Sequence, residues 1–121
     1  MNYAIGDTSF LLDKPVSIRG DFRWELEFVD VAEDGTETNT DLTDCVFDFV
    51  VLELDGTTEK AALTNGTGIT VSGNATTITM PNADFNDWLA NCKYPYYLNY
   101  TNADDFVKCL FEGKFIPTKP R

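Results

Sequence analysis

The sequence predicts an all-β domain, a sandwich or barrel of short strands with one short helix, and three observations carry that reading. Apolar and polar residues alternate with a period of two, most clearly where Phe22, Trp24, Leu26 and Phe28 are separated by Arg23, Glu25 and Glu27. Turn pairs such as Asp55-Gly56, Asn65-Gly66 and Gly73-Asn74 recur at the spacing of sandwiches and barrels, roughly every 8–12 residues. A single stretch, 82–89, departs from that period toward helical spacing. The chain has 121 residues, 43% hydrophobic and 13% aromatic, which is enough to close one core.

Taken in order, residues 1–14 are irregular but carry Tyr3, Ile5, Phe10, Leu11 and Leu12. Such a segment either plugs one end of the fold or packs on another subunit. Residues 22–28 form the first long strand, half-buried with a wet outer face. Residues 31–44 read as a polar loop with one glycine. The run 45–54 is a second long strand with Phe47, Phe49 and Val51 on one face. Its other face holds Val46, Val50, Leu52 and Leu54, so the strand is expected to be central and covered on both sides. Asp55-Gly56 signals a hairpin. A short strand at 59–63, a turn at Asn65-Gly66 and a strand pair, 68–72 with 76–80, follow.

In 82–89 the apolar positions Phe85, Trp88 and Leu89 follow i, i+3, i+4 spacing. Asn82 is a candidate cap and Asp84 suits a first turn, so a helix of about two turns is expected. Tyr96, Leu98 and Tyr100 then mark a strand, 101–105 a turn, and 107–112 the last strand, extending toward Ile116. Pro117 and Pro120 make 117–121 an extended tail. The expected organisation is an N-terminal arm (1–14), a β-sandwich domain (15–116) and a basic C-terminal tail (117–121).

The formal net charge is −11, from 20 acids and 9 bases. Such a surface repels phosphate backbones, so nucleic acid is not expected as a partner. The last nine residues reverse the sign, with Lys114, Lys119 and Arg121 and no acid. The chain start has no basic region followed by an apolar one, and no apolar run nears the roughly 20 residues of a membrane helix. A protein made in a cytoplasm, without a membrane partner, is expected. Cys45, Cys92 and Cys109 form no CxxC pair and read as small buried hydrophobes in reduced form.

Chemistry finds little purchase. The sequence has no histidine, so imidazole-based triads and metal sites are excluded. It also has no phosphate-binding glycine motif. Acid pairs such as Glu25 with Glu27 sit on an outer strand face, not across a cleft. Residues 30–41 imitate a calcium loop, but Ala32 stands at a ligand position and strands, not helices, flank it. Arg19-Gly20-Asp21 matches the integrin tripeptide and reads as a turn before a strand. Asn65, Asn74 and Asn99 lie in N-x-T sequons and read as turn and strand residues. Tyr94, Tyr96, Tyr97 and Tyr100 divide between a core face and one exposed strip. No catalytic, cofactor-binding or metal-binding residue is assigned.

The order of features resembles a family. Residues 18–28 (IRGDFRWELEF), an acidic loop and 41–51 (DLTDCVFDFVV) resemble the opening of a small Ig-like β-sandwich found in tailed-bacteriophage virion structural proteins. Residues 76–89 (TTITMPNADFNDWL) resemble its strand ending in a proline and short helix, 94–100 (YPYYLNY) its penultimate strand, and 106–117 (FVKCLFEGKFIP) its closing strand. The resemblance implies an Ig-like β-sandwich of about seven strands, with one short helix before the penultimate strand. It implies a non-enzymatic virion component of the tail, baseplate, neck or fibre-attachment type, with no cofactor. Its partners would be other virion proteins and copies of itself, in a ring or other symmetric assembly. The alternatives are a small carbohydrate- or receptor-binding sandwich module and a capsid decoration protein. The expected assembly contacts are Tyr3, Ile5, Phe10, Leu11, Leu12, Lys119 and Arg121, on the apolar arm and the basic tail.

Overall fold

The computed structural model describes residues 10–119 and the backbone of Asn2 and Tyr3. Eleven strands form it: β1 (Asn2–Tyr3), β2 (Phe10–Leu11), β3 (Lys14–Ser17), β4 (Phe22–Val31), β5 (Glu37–Asn39), β6 (Val46–Leu52), β7 (Glu59–Asn65), β8 (Gly68–Ser72), β9 (Ala75–Met80), β10 (Tyr94–Thr101) and β11 (Val107–Thr118). They join in the order β1-β4-β9-β8-β7-β6-β10-β11-β2, with β3 also paired to β11 and β5 to β4. The all-β expectation holds. The two expected layers are instead two halves of one continuous sheet, which curls until its faces meet. Phe22 of β4 packs on Phe49 of β6 at 5.7 Å, and Trp24 of β4 packs on Phe111 of β11 at 4.9 Å.

The link between the halves is the junction of β7 and β8. Thr64 pairs with Gly68 and Asn65 with Ile69 in parallel register. The chain turns within a few residues because Gly66 and Gly68 both adopt positive φ, a conformation most side chains resist. Asn65 therefore continues the strand, and its side chain is spent there. It accepts the Phe47 N–H at 3.0 Å and donates to the Cys45 carbonyl at 2.8 Å.

Alternation builds the core as expected. In β4, Phe22, Trp24, Leu26 and Phe28 are buried and Arg23, Glu25 and Glu27 exposed. Trp24, Leu26, Phe47, Phe49, Ile78, Leu98 and Phe111 are all core residues, whereas Val71 is only half-buried at the rim. The β8–β9 hairpin pairs Ile69 with Ile78. Between β6 and β7, Asp55 shapes the turn by accepting the Thr57 and Thr58 N–H groups at 2.8 and 2.9 Å.

Three expectations need correction. The segment 31–44 is not all loop, since β5 pairs with the end of β4 through Asn39–Val29, Thr38–Asp30 and Glu37–Val31. Its residues are all exposed, so no apolar alternation betrayed it. The two-turn helix reduces to a single 3-10 turn at Asn82–Asp84. Phe85 and Trp88 are buried against Phe115, but Leu89 points to solvent, and the Asn82 side chain caps nothing. It donates instead to the carbonyls of Ile18 and Gly20, tying this turn to the start of β4. Finally, β6 is central in the sheet, between β7 and β10, but its second face is covered only in part. Phe47, Phe49 and Val51 are fully buried; on the opposite face Val50 is buried too, while Val46 is 41% exposed.

The ends belong to the sheet as well. β3 runs parallel to the end of β11, pairing Val16 with Pro117 and Ser17 with Thr118. The strand thus continues into the region expected to be a tail, and Pro117 is buried. No helix among the described residues is long and apolar enough to cross a membrane.

Candidate functional site

Strands β6, β10 and β11 present two faces, and the outer one is the candidate site. Cross-strand register fixes which residues share it. At one end Val46, Thr101 and Val107 form a row across the three strands. Next come Asp48, Asn99 and Cys109, then Val50, Tyr97 and Glu112, and at the far end Pro95 with Lys114. Leu11 of β2 pairs beside Glu112 and extends the far end sideways. The exposure is marked: Leu11 is 79%, Val107 58% and the adjacent Phe106 57% exposed. Leaving large apolar side chains in water at both ends of one face is unfavourable unless something covers them.

A shallow groove of about 360 Å³ runs through the far end, lined by Leu11, Leu52, Pro95, Tyr97, Glu112 and Lys114 among others. A second depression of about 300 Å³ lies between β7 and β10, lined by Asp48, Val50, Ala62, Thr64, Tyr97 and Asn99 among others. Tyr97 borders both.

The expected contact residues fall into two groups. Phe10, Leu11 and Leu12 come together on the edge of β11. The Phe10 ring stacks on Phe111 at 5.3 Å, and Leu11 projects outward. Leu12 is spent inside the domain: it packs against the core, donates its N–H to the Glu112 carbonyl at 3.0 Å, and accepts the Tyr96 hydroxyl through its own carbonyl. Gly113 makes this seat. A Cβ there would overlap the Leu12 carbonyl, so no other residue lets the chain cross so closely. Asp13 completes the latch by accepting the Lys114 N–H at 3.1 Å. Lys119 is exposed just beyond β11 and not near the Phe10–Leu12 edge in sequence register. The side chain of Tyr3, and the whole of Ile5 and Arg121, lie outside the described residues; the Tyr3 backbone pairs with Phe28.

Elsewhere polar groups are turned to local structure. An open cleft of about 680 Å³ lies where residues 39–45 meet Asn65, Val71, Gly73 and Asn74. Its Asp41 accepts both the N–H and the hydroxyl of Thr43, at 2.9 and 2.6 Å, which holds its carboxyl below the usual range. Asp34 is lowered in the same way by Thr36. Asp30 accepts the Thr40 hydroxyl at 3.0 Å. Three carboxylates of the calcium-like segment, Asp30, Asp34 and Asp41, thus accept hydrogen bonds from its own threonines and their neighbours. Among the described residues no group of three or more histidine, cysteine or acidic side chains could hold a metal ion. Asp21 of the Arg-Gly-Asp tripeptide accepts the Asn82 N–H at 2.8 Å.

A third depression, about 410 Å³, contains a cluster that alternation does not foreshadow. Lys60 lies 5.0 Å from the ring centres of both Trp88 and Tyr94 and pairs with Glu53 at 3.0 Å. Leu54 and Leu89 stand exposed around it. The three cysteines are free, with Cys45 buried and donating toward the Tyr100 hydroxyl at 3.4 Å. Burial first, then Cys45 and Asp30, push the Tyr100 phenol up to about 12.

The sequence reading missed Val46, Phe106 and Val107 as surface candidates. One signal was available. The apolar residues on both faces of 46–54 fit either a strand covered twice or a strand covered once with a sticky outer face. No protein-family model matches this chain, and a comparison with curated proteins finds no significant match.

Proposed function

We propose that this chain is a non-enzymatic structural module of a tailed-phage virion, working through protein–protein contacts in the tail, baseplate, neck or a fibre attachment. The curled sheet is read as an Ig-like β-sandwich. β4, β9 and β8 make one layer, and β7, β6, β10 and β11, with β3 along the edge, make the other. The sequence resemblance supplies the virion setting. The single structural observation that supports an assembly role is the outer face of β6, β10 and β11, where Leu11, Val46, Phe106 and Val107 remain exposed around a closed aromatic core. Exposed apolar side chains gathered on one face of a small domain mark a contact surface. Mass spectrometry of purified particles tests the setting: the chain is expected as a stoichiometric component. Its absence from particles, with presence in the soluble lysate, contradicts the reading.

A second reading is a small carbohydrate- or receptor-binding module. The polar cleft lined by Asn39, Asp41, Thr43, Asn65 and Asn74 favours it. Binding on a glycan array that is abolished by Asn74→Ala supports that reading over the first.

A further inference from the structure

We infer that Asn65-Gly66 is a chemical modification site that the fold keeps closed: the Asn65 amide is lost by reaction with its own backbone only when the junction of β7 and β8 opens, and the product no longer rebuilds that junction. The inference is independent of the proposed function.

The chemistry starts from the sequence. Asn65 is the only asparagine followed by glycine; every other asparagine precedes a residue with a side chain. Glycine leaves its own backbone nitrogen unhindered and free to swing. The Gly66 nitrogen attacks the Asn65 side-chain carbonyl carbon and gives up its proton. The new C–N bond closes a cyclic imide, and the Cγ–Nδ2 bond breaks with release of ammonia. Water then opens the imide at either carbonyl, which leaves aspartate or, with the main chain rerouted through the side chain, isoaspartate.

In the folded chain each participant is held. The Gly66 N–H donates to the Ile69 carbonyl at 2.9 Å. The Asn65 amide accepts the Phe47 N–H at 3.0 Å and donates to the Cys45 carbonyl at 2.8 Å, so it stands in for a peptide group beside the start of β6. The parallel pairing of Asn65 with Ile69 and the positive φ of Gly66 fix the backbone between them. Attack needs all three hydrogen bonds broken. The reaction therefore runs through the opened junction, and its rate follows how often that junction opens.

The product does not suit the fold. An aspartate at position 65 still accepts the Phe47 N–H, but its carboxylate has no proton to give to the Cys45 carbonyl. Two acceptors then face each other beside the buried Cys45. Isoaspartate also lengthens the main chain where the Thr64–Gly68 and Asn65–Ile69 register leaves no spare length. The two halves of the sheet join here, so the damage falls on the link between them. A chain left unfolded is marked irreversibly, and a folded one is preserved.

The test ages the whole purified chain, folded in buffer and unfolded in guanidinium chloride, at one pH and temperature. Tandem mass spectrometry of the tryptic peptide 61–93 locates the deamidated residue, with Asn74, Asn82, Asn86 and Asn91 in the same peptide as references. Asn65 is expected to react before those four in the unfolded chain, and at least about tenfold more slowly in the folded one. Equal rates in the two states overturn the protection, and another asparagine reacting first in the unfolded chain overturns the site. Asn65→Asp reads the consequence. Its urea midpoint is expected below that of the wild type at neutral pH, and the difference is expected to narrow in acid, where a protonated carboxyl again donates to Cys45. If this variant is unfolded at neutral pH, recovery of its strand circular dichroism in acid reads the same point. A midpoint equal to that of the wild type at neutral pH, or a deficit that acid leaves unchanged, overturns the role of the amide in the junction.

Discussion

The inner and outer faces of β6, β10 and β11 are made by the same strands and obey opposite rules. Inside, Phe47, Phe49, Val51, Leu98 and Phe111 are essentially without solvent contact, and the Phe47, Phe49 and Phe111 rings pack on those of Phe28, Phe22 and Trp24. Outside, residues one step along the chain are mixed: valines and a tyrosine stand beside Asp48, Asn99, Glu112 and Lys114. The inner face is determined by what folding needs. The outer face buries Val50 but leaves Val46 and Val107 in solvent, apolar groups that folding does not use. Comparing them separates residues that hold the domain together from residues left over for a partner.

The sharpest way to break the comparison is inside. Phe49→Ala removes a ring that contacts Phe22, Trp24 and Tyr96, and is expected to cost about 3–5 kcal/mol of stability in denaturant titration. A loss no larger than that of an outer-face substitution, which normally stays within about 0.5 kcal/mol, means the two faces are not distinct.

The edge where the faces meet gives the next effect. Gly113→Ala forces the Leu12 carbonyl away from β11, at an overpacking cost of about 1–3 kcal/mol. Faster proteolysis around residues 10–13 should accompany it. Unchanged protection there means the seat tolerates a side chain.

How much of this was legible in the sequence follows from the same contrast. Period-two alternation identified the inner face because burial is a one-sided constraint that every strand repeats, and Trp24, Phe49, Ile78 and Leu98 fell where it placed them. It failed wherever a residue's partner is distant. Asn82 looked like a helix cap but reaches back to Ile18 and Gly20 across more than sixty residues. Phe85 and Trp88 had helical spacing because they cover Phe115, not because a helix carries them. Leu12 read as an assembly contact because nothing nearby in the sequence announces Gly113 as its seat. The outer face was misread in part for a simpler reason: Val46 and Leu54 are as apolar as the buried Val50, and composition alone does not say which of them lie open.

Smaller effects sharpen the account. Thr76 is fully buried, and its hydroxyl has no hydrogen-bond partner among the described residues. Thr76→Val is expected to raise stability by up to about 1 kcal/mol, since an unsatisfied hydroxyl is replaced by a methyl of the same shape. A loss of similar size would reveal a hidden partner. For Tyr100 the phenol is raised in the folded state, so its contribution is present below its unfolded value of about 10 and fades as pH rises through about 12. Ultraviolet titration should show Tyr100 ionising late, and Cys45→Ala should shift that transition downward. Asp55 behaves oppositely. Hydrogen bonds from Thr58 and Thr57 lower its carboxyl to about 2, so the turn keeps its support until pH falls through that value. An Asp55 titration near 4 by NMR would show that the hairpin turn is open.

The most direct measurement is hydroxyl-radical footprinting of the purified chain at low and high concentration. Leu11, Tyr97, Phe106 and Val107 are expected to become protected as concentration rises, while Leu54 and Leu89, exposed beside the Lys60 cluster, react equally throughout. Protection of Leu54 and Leu89 with no change at Tyr97 and Val107 would contradict it, because the contact surface would then lie off the outer face of β6, β10 and β11.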